Sequence, residues 1–189
     1  MHRSVKICFA TLSATFLLAS SAAAQGSPPE GSGPRDVLLA DLGLHVIGIG
    51  VQHTFVPWLA GQIAMDLYVP WTQEGHVFDG SKKPRVDVAG NVIRGRLFFY
   101  PFRGSPSGLW VSPFGQVGAV VSQQGPQSTA GGAAALGLSA GYSLLLKKHL
   151  HVAIGIGAQY HVVNIPGAGV LASFATFAPT ADLNVGYAF

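Results

Sequence analysis

The chain has little charge, one cysteine and no long apolar run beyond its N-terminus. That single cysteine, Cys8, lies in the N-terminal stretch, so the rest can form no disulfide and no thiolate metal site. Charged residues are 10% of the 189, against ~25% in ordinary soluble domains. Without a further run of ~18 apolar residues, membrane-spanning helices are not expected. Yet 49% of residues are hydrophobic and mean hydropathy is +0.39. A chain this apolar either buries an oversized core or turns alternating strands toward lipid. The 25 glycines favour the second, because small residues fit the crowded inner wall of a narrow barrel.

Residues 1–24 read as a cleaved signal peptide. Arg3 and Lys6 form the basic start, residues 7–18 an interrupted apolar core, and Ala22, Ala23 and Ala24 the small-residue cleavage signal. Cys8 precedes most of the apolar run, which is the wrong place for a lipoprotein anchor. Without Arg3 and Lys6, nine Lys/Arg face eight Asp/Glu, so the formal charge drops from +3 to +1. The basic balance therefore belongs largely to the export signal, and no nucleic-acid partner is expected. Residues 25–35, rich in Gly, Pro and Ser, read as a flexible leader, and residues 36–189 as one barrel domain.

Within that domain the clearest stretch is TADLNVGYAF, residues 180–189. Ala181, Leu183, Val185, Tyr187 and Phe189 alternate with Thr180, Asp182, Asn184, Gly186 and Ala188, the period of a two-faced strand. An open edge strand of this kind would invite aggregation, whereas a strand closing a barrel has no edge. The same reading places strands at 36–46, 49–56, 60–70, 90–101, 109–122, 133–146 and 150–162. The first reversal is expected at Gly48 and Gly50, with longer loops at 71–88, 123–132 and 164–178, the last with Phe174 and Phe177 as candidate extensions of the neighbouring strands. Short turns then alternate with longer loops, apart from that first tight reversal. Even strand number and strands of about ten residues match bacterial outer-membrane barrels. The expected fold is all-β, an eight-stranded antiparallel up-and-down transmembrane β-barrel, whose bore side chains can fill.

Strand parity sends Asp41, His45, Asp66, Arg94, Arg96, His151, His161 and Asp182 to the inner wall. Isolated charges in a narrow lumen are costly, so these groups are expected to pair as a charge network bracing the barrel. A proton- or ligand-responsive gate is the alternative use of the same residues. His149 and His151 have a spacing that invites a metal reading, but no carboxylate lies nearby in sequence and His149 falls in a turn. No metal and no cofactor are expected. Trp58, Trp71, Trp110 and Tyr142 are candidate interface anchors, although Trp110 has inward parity. Lys82, Lys83 and Arg85, grouped in the longest loop, suit lipopolysaccharide phosphates.

Several stretches then carry a family likeness: RLFFYPF…GLWVSPFGQVG over residues 96–118, the hairpin GYSLLL-turn-LHVAIGIGAQY, and the terminal NVGYAF. Together with the signal peptide they resemble small eight-stranded outer-membrane barrels of the OmpA/OmpX-like group. They are most similar to a family of uncharacterised outer-membrane barrels sharing an arginine/aromatic strand and a Gly-Tyr hairpin. The resemblance implies that Leu183, Val185, Tyr187 and Phe189 form the signal read by the barrel assembly machinery. It also implies a location among outer-membrane lipid and lipopolysaccharide. Some barrels of this size resemble lipid A deacylases that use a His-x-Ser pair. Here the matching stretch, residues 160–164, reads YHVVN, with Val163 in place of the nucleophile. Inward Ser112, Ser139 and Ser143 offer hydroxyls without marking one out.

The expected role is non-enzymatic, structural or interactional through the loops, whose partner the sequence leaves open. A narrow channel or small-ligand carrier is the alternative, and a lipid-modifying enzyme a further one. A soluble lipocalin-like barrel is the rival fold, and it would keep its apolar residues inside.

Overall fold

A computed structural model describes residues 33–68, 87–102, 104–124, 127–166 and 174–189. They form eight strands: β1 (Asp36–Gly43), β2 (Val46–Val56), β3 (Leu59–Tyr68), β4 (Asp87–Phe99), β5 (Gly108–Gln124), β6 (Gln127–Leu146), β7 (Leu150–Asn164) and β8 (Phe174–Ala188). Each pairs antiparallel with its neighbours in sequence, and β1 closes on β8 through the register Val37↔Ala188 to Gly43↔Asp182. The result is a closed up-and-down barrel with no free edge.

The two-residue period decides which side chains go where. On β7, Ile154 and Ile156 point outward, 63% and 73% exposed, while His151, Ala153, Gln159 and His161 are buried. The same sorting exposes Ile49, Val51, Ile63, Met65 and Leu67 on β2 and β3. A barrel that is greasy outside and polar inside is the inverse of a soluble lipocalin-like one. No helix among the described residues is long and apolar enough to cross a membrane.

Three expectations about the strands change. The first reversal falls at Leu44 and His45, so β2 starts at Val46, which is buried. Gly48 lies inside β2 opposite Asp66, where a Cβ would overlap the Met65 carbonyl and the Asp66 carboxylate. That glycine permits close approach across the wall; it does not make the turn. Next, most of the expected loop at 123–132 is strand, because β5 and β6 stay paired out to Gln124↔Gln127. Finally, β8 begins at Phe174, within the expected loop at 164–178, and carries Pro179. The expected signal peptide, the leader up to residue 32, Trp71 and the Lys82, Lys83 and Arg85 cluster lie outside the described residues.

The lumen is layered along the barrel axis. Toward the loops, Val46, Tyr68, Val88, Val92, Val120, Val163 and Ile165 make an apolar cluster. Toward the short turns, Ala60, Phe98, Tyr100 and Trp110 make an aromatic one, beside Val37, Leu39 and Ala188. Charged groups occupy the space between.

Candidate functional site: a charged lumen

Arg94 and Arg96 project into the bore because they are two residues apart on β4. Both are buried, at 2% and 3% exposure. Arg94 contacts Asp41 on β1 through its terminal nitrogen, Asp66 on β3 at 3.2 Å and Asp182 on β8 at 3.2 Å. Gln62 donates a further bond to Asp41 at 3.0 Å. In a ring of eight strands, β4 and β8 stand opposite each other, so the Arg94–Asp182 contact spans the whole bore. The carboxylates and the guanidinium are dehydrated together, which makes loss of one partner far more costly than at a surface.

Arg96 is held differently. It donates to Asp182 at 2.9 Å, to Ser139 at 2.5 Å and to Ser112 at 3.4 Å. Its guanidinium lies 5.1 Å from the Phe98 ring, 5.7 Å from Trp110 and 5.2 Å from Phe114, within range of cation–π attraction. Space for the indole comes from the neighbouring strands β6 and β7, where a Cβ on Gly141 or Gly155 would overlap the Trp110 ring. Trp110 is fully buried, so it belongs to the lumen and is not an interface anchor. Trp58, 56% exposed and stacked on Phe99 at 6.5 Å, does sit at the turn-end rim, and Tyr142 is exposed on β6.

The histidines fall into separate places. His45 and His161 meet edge to face at 4.8 Å, and His45 Nε2 lies 3.2 Å from the Pro179 carbonyl. His45 is in the β1–β2 turn, where burial pushes its imidazole below the ordinary value against the opposing effects of that carbonyl and Asp182. His151 is buried near the turn end, beside the Pro106 carbonyl, and makes no ion pair with the aspartates among the described residues. His149, by contrast, is exposed and stacks on Tyr187 at 5.2 Å, so His149 and His151 do not share a face. No group of three metal-ligating side chains occurs among the described residues.

Of the residues picked out by parity, Asp41, Asp66, Arg94, Arg96 and Asp182 are brought together, His45 and His161 adjoin one another, and His151 lies apart. Parity alone missed the aromatic enclosure of Arg96 and the roles of Gln62, Ser112 and Ser139. The signal was present, since Trp110 and Phe114 share inward parity with Ser112 and Gln116. Leu183, Val185, Tyr187 and Phe189 all face outward on the closing strand or just past it.

No family model and no curated protein matches the chain. Among solved structures it is similar to the N-terminal β-barrel domain of Pseudomonas aeruginosa OprF, with TM-score 0.52 and 10% identity, covering 84% of this chain and 100% of that one. Weaker similarity extends to Neisserial surface protein A, with TM-score 0.43 and 10% identity over 82% of this chain and 93% of that one. The attachment invasion locus protein Ail of Yersinia pestis gives TM-score 0.43 and 11% identity over 84% and 99%. The fold is therefore that of the small eight-stranded outer-membrane barrels.

Proposed function

We propose that the protein is an integral outer-membrane barrel with a plugged lumen, acting without covalent chemistry as a scaffold that presents its loops. The observation that carries this reading is the contact of Arg94 and Arg96 with Asp182 across the bore, inside an apolar outer wall. Ion pairs across the bore, with apolar clusters on either side of them, suit an interior that eight strands make just wide enough for side chains to fill. In this reading residues 1–24 direct export, and the outward row Leu183, Val185, Tyr187 and Phe189 engages the assembly machinery. Lys82, Lys83 and Arg85 contact lipopolysaccharide phosphates, and the Arg94–Arg96 cluster braces the barrel.

Membrane fractionation combined with gel mobility before and after boiling tests the placement. Recovery in the outer membrane with a heat-dependent shift is the expected result. A soluble periplasmic protein with no shift would overturn it. Lipid A from cells making the protein is expected to keep its mass, and a deacylated or acylated product would assign an enzyme instead.

A further inference from the structure

The outer wall carries a groove that its alternation does not require. Outward positions on β4 hold Ile93, Leu97 and Phe99, all exposed and large, but Gly95 sits among them. Across the wall Ile63, Gly95, Gly115 and Leu136 stand in register on β3 to β6. A Cβ on Gly95 would meet no atom within 4 Å, so this glycine is not demanded by packing within the barrel. The open groove it makes measures about 650 Å³, with Gly95 as its bare floor, the Phe55 ring lying over Gly61, Leu136 over Gly115, and Ile63 alongside. Within a bilayer such a depression must be filled, since its lining otherwise forgoes dispersion contacts.

At its turn end the groove reaches His53. The His53 ring nitrogen Nδ1 donates to Asp36 at 2.7 Å, and the two side chains are 50% and 46% exposed. The pair lies near the rim where Trp58 stacks on Phe99, the depth at which aromatic girdles mark the membrane interface. The Asp36 carboxylate keeps acceptor sites beyond the one that takes the His53 proton, and these complement a headgroup ammonium.

We propose that this groove binds one acyl chain of a zwitterionic phospholipid, phosphatidylethanolamine, with its headgroup at Asp36 and His53. The inference rests on the membrane reading above. A flexible chain can follow an irregular glycine floor, and the polar pair at the mouth selects a lipid over a second barrel, whose apolar wall would leave it unused.

Native mass spectrometry of the full barrel in detergent, supplied with phosphatidylethanolamine or phosphatidylglycerol, tests this. Wild type is expected to retain one phosphatidylethanolamine after the detergent is stripped. Gly95→Leu, which fills the floor without backbone strain, should cut that occupancy by about tenfold, a loss of ~1.4 kcal/mol. Asp36→Asn should lower retention of phosphatidylethanolamine but not of phosphatidylglycerol. Val117→Leu, outward on β5 and outside the groove, should change neither. Equal retention by wild type and Gly95→Leu would overturn the proposal, as would a dimer of barrels that Gly95→Leu abolishes. Each variant is first checked for the heat-dependent gel shift. Loss of that shift in wild type as well would count against the membrane reading itself, apart from the groove.

Discussion

Two arginines two residues apart on one strand are stabilised by different chemistry. Arg94 faces β1, β3 and β8 and is surrounded by Asp41, Asp66 and Asp182. Arg96 leans toward β5 and β6 and is surrounded by Phe98, Trp110 and Phe114, with Asp182 and two serines as hydrogen-bond acceptors. The lumen thus has an acidic wall and an aromatic wall, and β4 supplies a cation to each. Among the described residues Asp182 ion-pairs with both arginines, so it couples the two halves. The acidic half depends on charge balance, because three buried carboxylates repel each other without Arg94. The aromatic half depends on shape, because the indole fits only over glycine.

This contrast orders the expected effects of substitution. Arg94→Met leaves Asp41 and Asp66 buried without their ion-pair partner, while Asp182 keeps Arg96, and should destabilise the barrel by about 3–5 kcal/mol, read as a lower melting temperature in detergent. An unchanged melting point would remove the network from the account. Trp110→Ala should cost nearly as much, about 3–5 kcal/mol by cavity formation, but without any dependence on salt or pH. Arg96→Met should cost less, about 1–3 kcal/mol, since Asp182 keeps Arg94 and a methionine packs well against aromatic rings. If Arg96→Met proved worse than Arg94→Met, the division into two walls would be wrong.

The smallest effect concerns His45. Its folded value is lowered by burial, so the unfolded chain takes up the proton first as pH falls. The resulting stability is present above the unfolded value of ~6.5 and is lost below it, with a slope of no more than about 1.4 kcal/mol per pH unit. Melting curves from pH 7.5 to 5 should therefore show a decline that His45→Gln makes shallower. An identical slope in wild type and variant would assign the decline to other groups.

Alternation was legible wherever large apolar residues mark one face, as on β7 and β8. It failed where the marks are small. Ala130, Gly131 and Gly132 carry no readable period, yet the ladder continues through them because backbone hydrogen bonds need no side chain. β8 also runs through Pro179, whose side chain is exposed on the outer wall and whose carbonyl accepts from His45 when Nε2 carries the proton. Glycine misled at Gly48, where a turn and a close strand approach leave the same residue. For the site, parity found the charges but could not rank their heights along the axis. That is why His151 was grouped with a cluster it does not join. Nor could parity see that β4 faces β8, a fact that closure of eight strands supplies.

The central claim is that buried side chains close the bore. Single-channel recording of the purified wild-type barrel in planar bilayers addresses it most directly. A filled bore gives no conductance steps at neutral pH, and stable ohmic steps from the wild-type protein would contradict it.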